Sequence, residues 1–260
     1  MVEASESEPF RVEIMGIGVH PRTMDEAAGE VGGWIETGAR RYVCVADGHS
    51  LIQASRDPAL KAVFEDAGLV TTDGMPLVWL SRRSGFPRAE RVYGPDLMLE
   101  LCARSEARGW RHFLYGGTDA VLDGLAGNLR AQFPQLRICG RYAPSFRPLD
   151  EAEDRAVVAM IERAAPDIVW VGLGAPKQEK WMAEHRPKLA APVLIGVGAA
   201  FDFHSGAKRQ APLWMRRSGL EWLFRLASEP KRLGRRYAMV VPRFLWLIVR
   251  QRLGITRRAG

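Results

Sequence analysis

Three short runs carry side chains that could do chemistry. Asp73 follows Leu69-Val70-Thr71-Thr72 and opens Gly74-Met75-Pro76-Leu77-Val78-Trp79, where a strand end turns into a helix. A carboxylate there can accept the proton of an attacking hydroxyl. It can equally cap the helix by accepting bonds from its first free amides, with the preceding Thr as a competing cap. At its ordinary pKa of about 3.9 it is ionised at neutral pH, and partial burial makes it a stronger base. In Arg91-Val92-Tyr93-Gly94-Pro95-Asp96, Pro95 and Asp96 are explained by a helix start, but Arg91 is not. A guanidinium at that loop edge can hold a diphosphate in a bidentate fork. Third, Gly172-Leu173-Gly174-Ala175-Pro176-Lys177-Gln178 places a cation and an amide beside a proline suited to a first helical turn.

Something must bring these runs together. Short Val- and Ile-rich segments recur at 12–19, 42–46, 112–115, 137–139, 168–171 and 193–197, separated by helical periodicity at 51–66, 95–108, 119–132, 150–164 and 176–185. Continuous apolar strands alternating with helices predict a doubly wound, mostly parallel α/β sheet of Rossmann-like type. Such sheets bind ligands beyond the carboxyl ends of their strands. The turns there are polar or glycine-rich: Asp47-Gly48-His49, Thr71-Thr72-Asp73-Gly74, Tyr115-Gly116-Gly117-Thr118, the 172–178 run, and Gly196-Val197-Gly198-Ala199. Glycines let backbone approach a ligand, and first-turn amides can receive a phosphate. Each glycine could instead serve only a tight turn, but five such turns on one edge predict a shared nucleotide-type site. The candidate binding residues are therefore Asp47, His49, Gly74, Arg91, Gly94, Asp96, Tyr115, Gly116, Gly117, Gly172, Gly174, Pro176, Lys177 and Gln178. For His49 a structural role is equally open.

Several classes are excluded or unsupported. There is no GxxxxGK[ST] loop, the 172–174 glycines lack the third glycine of a dinucleotide fingerprint, and there is no HExxH or Asp-x-Asp pair. The five histidines do not pair at ligand spacing, so no metal and no cofactor is expected, and phosphate handling falls to Arg, Lys and backbone amides. Three cysteines, with no CxxC, read as reduced core residues of a cytosolic protein. The acidic first nine residues argue against a signal peptide and are expected to be disordered.

With these loops in hand, the chain resembles the WecG/TagA/CpsF family of bacterial glycosyltransferases. The matching runs are 70–79, 90–98, 113–117, 172–179 and 196–203, in order along nearly the whole chain. The resemblance implies transfer of a hexose or N-acetylhexosamine, such as N-acetylmannosamine or glucose, from a UDP-sugar donor to a polyprenyl-diphosphate-linked sugar acceptor. It also implies inversion without a metal, at the cytoplasmic face of the membrane, in synthesis of cell-surface polysaccharide or teichoic acid. It places Asp73 at the family's general-base position and Arg91 and Gln178 at polar substrate-binding positions. One departure falls after the second strand: the family's common Thr-x-Asn is Val45-Ala46-Asp47 here, which leaves the donor sugar open. A nicotinamide-dependent oxidoreductase would share the fold, and a non-catalytic membrane adaptor would share the tail.

Charge divides along the chain. Of 37 basic residues 14 lie in 206–260, against two of the 30 acidic ones, Glu221 and Glu229, so a net +7 becomes −5 for the body and +12 for the last 55 residues. The expected division is a glycosyltransferase domain over 10–205 and a basic, helical appendage over 206–260. Residues 214–224 read as one amphipathic helix. Tyr237, Phe244, Trp246 and Leu247 interleave with Arg243 and Arg250. Such a tail suits an anionic membrane surface, and Arg209, Arg216, Arg217 and Arg225 could reach lipid or the acceptor's diphosphate. A helix packed on the body with a solvated basic face is the plainer alternative. No nucleic-acid recognition module is present, so no nucleic-acid partner is expected. The stretch 238–249 is too short to span a bilayer, and homo-oligomerisation is left open.

Overall fold

The computed structural model describes residues 10–231 apart from 146, together with 233, 234, 238, 242–244, 246, 248 and 249. The expected disorder of 1–9 and the interleaved Tyr237, Leu247 and Arg250 lie outside the described residues. The strands are β1 (Val12–Ile14), β2 (Ile17–Val19), β3 (Arg41–Ala46), β4 (Leu69–Thr72), β5 (Arg111–Gly116), β6 (Arg137–Tyr142), β7 (Ile168–Gly172) and β8 (Val193–Gly196). The helices are α1 (Met24–Thr37), α2 (Gly48–Ala54), α3 (Pro58–Glu65), α4 (Met75–Arg83), α5 (Gly94–Arg108), α6 (Asp119–Gln132), α7 (Glu151–Ala164), α8 (Lys177–His185), α9 (Ala200–His204), α10 (Leu213–Arg217) and α11 (Glu221–Ser228).

Six strands form one parallel sheet in the order β4-β3-β8-β7-β5-β6. Successive side chains of a strand point to opposite faces, and here both faces are apolar. Tyr42, Cys44, Val169 and Val171 join one core with α2, α3 and α8. Val43, Ile168 and the fully buried Trp170 join the other with α1, α5 and α6. Helices on both faces make the inner strands β8, β7 and β5 largely apolar runs, as the predicted fold requires.

Three expectations are corrected. Segment 12–19 is not one strand of the sheet but an antiparallel hairpin, β1 to β2, turned at Met15 and Gly16, both with positive φ. The hairpin leads into His20, whose amide donates to Val70 O and whose Nδ1 accepts from Val70 N, each at 2.8 Å. These bonds satisfy the outer side of edge strand β4 at that residue. Burial, helped by Arg11 and Arg22, lowers the His20 pKa to about 3, so the ring accepts as neutral imidazole. Segment 51–66 is two helices, because Asp57 caps a new one with Pro58 in its first turn. Segment 214–224 is also two, broken after Ser218 at Gly219, where φ is +76°.

Helix α1 was not among the periodic segments. Its glycines blur the pattern, yet Gly32 is needed where it stands: a Cβ there would come within 3.1 Å of Trp110. The helix starts with a Thr23/Glu26 capping box and ends at Gly38 in the left-handed conformation.

Candidate active site

A cavity of about 520 Å³ opens at the carboxyl ends of β3 and β4. Its inner end holds Asp47, Asp73, Arg91 and Glu221, and one wall is α4 with Met75, Trp79, Leu80 and Arg83. Leu220, Trp222, Phe244 and Ile248 of the tail also line the cavity.

Local hydrogen bonding explains why Asp73 and Arg91 meet. The Asp73 amide donates to Ala46 O at 2.9 Å, prolonging the β3–β4 ladder by one rung. The Thr72 hydroxyl donates to Glu90 O at 2.8 Å, the Thr71 hydroxyl to Val92 O at 3.2 Å, and the Val92 amide to Thr72 O at 3.1 Å. The two threonines thus clasp segment 90–92 along the end of β4 and present Arg91 to Asp73. Arg91 Nη2 donates to Asp73 Oδ1 at 3.0 Å, and its Nε donates to the Asp73 carbonyl. The guanidinium also lies 4.0 Å above the Tyr93 ring.

Asp73 does not cap α4. Gly74 occupies the capping position and no side chain bonds the first amides there, so the carboxylate's only described side-chain bond is to Arg91. Burial raises its pKa to about 7. Arg91 pulls the value down, Glu221 and Asp47 push it up, and Arg225 pulls it down. The expectation of a carboxylate fully ionised at neutral pH is therefore corrected: Asp73 titrates near neutrality, which is where a general base is most effective. Burial opposes the charge of Arg91, but Asp73 and Glu221 outweigh it and hold its pKa above the usual arginine value.

The tail supplies the group missing from the sequence-based site. Glu221, at the start of α11, accepts from Arg91 Nη2 at 2.7 Å and from the Tyr93 hydroxyl at 3.1 Å, and pairs with Arg225 at 2.8 Å. Burial and the Glu221 charge push the Tyr93 phenol up. One signal pointed to Glu221: it is one of only two acids among the last 55 residues, and Glu229, the other, pairs with Lys208.

The expected binding residues divide sharply. Asp47 and His49 line the cavity, and Asp47 also caps α2 in a box with Ser50. Gly74 lines it too. Gly94 is a close-approach residue, since a Cβ would meet Val197 O at 3.3 Å. The loops after β5, β7 and β8 share the edge but do not line this cavity. Gly116 and Gly172 are glycine for packing: a Cβ on Gly116 would lie 2.6 Å from Gly172, and one on Gly172 the same distance from Phe201. Tyr115 is buried and stacked on Trp181. Gly117 and Gly174 have positive φ in these turns, Pro176 precedes α8, and Lys177 is exposed. The Gln178 amide is buried. Its Oε1 accepts from Gly174 N and Gly198 N, and its Nε2 donates to Glu179, so it staples two loops together.

The appendage also departs from expectation. Arg216 pairs with Asp96 at 3.0 Å and Arg225 with Glu221, so these two cations, expected to face lipid or diphosphate, face carboxylates of the site. Asp96, expected to bind substrate, anchors the tail. Arg209 and Arg217 are exposed. The described part of segment 206–260 contributes residues to the lining of the cavity.

The family model described as "Glycosyl transferase WecG/TagA/CpsF family" matches residues 12–258. The chain belongs to this family. As a glycosyltransferase it has named relatives of similar length. One from Bacillus subtilis (strain 168) is 33% identical over 190 residues, covering 73% of this chain and 71% of the relative. One from Staphylococcus aureus (strain MW2) is 26% identical over 259 residues, 99% of each. Both are named N-acetylglucosaminyldiphosphoundecaprenol N-acetyl-beta-D-mannosaminyltransferase. The oxidoreductase and adaptor alternatives are set aside.

Proposed function

We propose that this glycosyltransferase moves an N-acetylhexosamine or hexose from a UDP-sugar to a sugar linked to a polyprenyl diphosphate, inverting the anomeric centre without a metal. The observation that carries this reading is Asp73: a carboxyl titrating near neutrality at the inner end of a largely apolar cavity, oriented by Arg91. The relatives' names supply N-acetylmannosamine as the first donor sugar to try and an N-acetylglucosaminyl diphospholipid as the acceptor. In the step proposed, Asp73 takes the proton of the acceptor hydroxyl as that oxygen bonds the donor's anomeric carbon. The bond from that carbon to the UDP oxygen breaks on the opposite face, and UDP leaves with the electron pair. The developing phosphate charge is assigned to cations, with exposed Lys177 on the same sheet edge as a candidate. The test is a panel of UDP-sugars in thermal-shift and hydrolysis assays. Stabilisation by UDP and turnover of one UDP-sugar with no added divalent ion supports the reading, and indifference to every UDP-sugar overturns it.

The same reading places the enzyme peripherally on the cytoplasmic membrane face. Among the described residues no helix is long and apolar enough to cross a membrane. Yet the tail exposes Leu213, Trp214, Leu223, Trp246 and Val249 beside Arg209 and Arg217, the mixture that interfacial helices use. Leu213→Ala/Trp214→Ala is expected to reduce sedimentation with phosphatidylglycerol liposomes at least about fivefold, while turnover of a soluble short-chain acceptor is kept. Unchanged sedimentation would leave the tail as wall alone.

A further inference from the structure

The cavity separates its charges, and one cation is left over. At the inner end, Arg91 is held by Asp73 and Glu221, Arg225 by Glu221, and Arg216 by Asp96. Asp47 adds a third carboxylate there beside Asp73 and Glu221. The acceptor's own diphosphate is not drawn to that region, where Arg91, Arg216 and Arg225 are already paired with carboxylates. Arg83 differs. It lines the same cavity from the last turn of α4, is exposed, and among the described residues has no carboxylate partner. A cation in the last turn of a helix also gains from the helix dipole, but that explains its position in the sequence and not its placement over the cavity. Between the two ends runs an apolar strip on one side of α4: Met75, Trp79 and Leu80. Helix α4 spans eight residue steps from Met75 to Arg83, roughly 12 Å of helical rise, and Asp73 lies two residues before it, a span that a sugar ring with its diphosphate and a reaching guanidinium can cover between them.

We infer that Arg83, with the apolar strip of α4 and the facing Phe244 and Ile248, is the subsite for the acceptor's diphosphate and first isoprene units. This rests on the proposed transfer reaction for its ligand. It assigns the phosphate contact to α4 and not to the paired Arg216 and Arg225 of the tail. The sugar end of the acceptor then lies toward Asp73, the phosphates at the rim, and the hydrocarbon against Trp79 and the tail residues. A guanidinium contributes a charge-assisted, bidentate contact that a neutral side chain cannot replace.

The test uses the full chain, with farnesyl diphosphate, farnesol and inorganic pyrophosphate as probes, read by tryptophan fluorescence because Trp79 lines the strip. Wild type is expected to bind farnesyl diphosphate about tenfold or more tightly than either farnesol or pyrophosphate. Arg83→Gln is expected to lose most of that preference and Arg83→Lys to retain part of it. In kinetics with a farnesyl-diphosphate-linked sugar acceptor, Arg83→Gln raises the acceptor KM by about tenfold and leaves kcat and the UDP-sugar KM unchanged. Unchanged farnesyl diphosphate affinity, or a rise in the UDP-sugar KM in place of the acceptor KM, overturns the assignment. So does an equal loss of binding to phosphatidylglycerol vesicles, which would make Arg83 a headgroup contact. A wild-type enzyme that uses no UDP-sugar defeats the proposed reaction, and the farnesyl diphosphate comparison still decides whether the subsite exists.

Discussion

Asp73→Asn is expected to lower sugar transfer by about 10²-fold or more while UDP binding is kept. The amide preserves the size of the group and can keep a contact with Arg91, which Glu221 also holds at 2.7 Å, so the arginine is not released. What disappears is the proton acceptor. The pH profile supplies an independent check. Burial raises the Asp73 pKa from 3.8 to about 7, and the active form of a base is the deprotonated one. Wild-type kcat/KM therefore climbs with pH through about 7, and that limb is absent from the residual activity of the variant. Stability moves the other way. Between 3.8 and about 7 the folded state holds a proton that the unfolded state has released, so this group makes the protein less stable as pH rises through that window. The asparagine variant escapes that cost, and its Tm at about pH 8 is expected to equal or exceed that of wild type. Near-normal transfer, or a loss of activity that tracks a loss of Tm, would remove Asp73 from the role of base.

The Asp73–Arg91 pair was legible in the sequence because its two runs lie only 18 residues apart and meet through bonds that Thr71 and Thr72 make to their neighbours. The parallel sheet was legible for a related reason: burial on both faces turns the inner strands into apolar runs, and β3, β5, β7 and β8 stand close to where those runs predict. Hairpin β1–β2 was missed because two residues, Met15 and Gly16, reverse the chain inside an uninterrupted apolar segment. The break at Asp57-Pro58 was there to be read as a cap followed by a first-turn proline. The sequence could not divide the five loops between cavity lining and packing, because a glycine needed for packing looks the same as one needed for a ligand. Gly116 and Gly172 are small so that β5, β7 and α9 can approach one another, a fact that depends on strand order. Glu221 lies 130 residues from Arg91, and no local pattern brings it there. Its trace was one of two carboxylates in a basic segment, a charge without a function until the partner surface is known.

That carboxylate carries the second large expectation. Glu221→Gln keeps the shape of the side chain and removes the negative charge shared by Arg91, Arg225 and Tyr93. Two consequences follow for Asp73. Arg91 is left with one carboxylate in place of two and pairs more strongly with it, and the upward push that Glu221 exerts on the Asp73 pKa is gone. Both changes favour the ionised base, so the acidic limb of the pH profile moves to lower pH. A carboxylate held more firmly by its arginine is also a weaker proton acceptor, so the plateau rate is expected to fall about tenfold. Arg225→Gln makes the opposite perturbation. Arg225 lowers the Asp73 pKa, so its removal moves the limb to higher pH, although both variants disturb the same tail helix. Glu221→Ala goes further, because it removes the carboxylate that accepts from Arg91, Arg225 and the Tyr93 hydroxyl and loosens the wall that α11 builds. A loss of about 10²-fold in kcat/KM is expected there, with a lowered Tm. Loosening alone would shift the limbs of the glutamine variants at 221 and 225 in the same direction, or not at all. Shifts of opposite sign are what an electrostatic link between the tail and the base requires, and they would mean that seating of the basic segment sets the pH at which Asp73 can act.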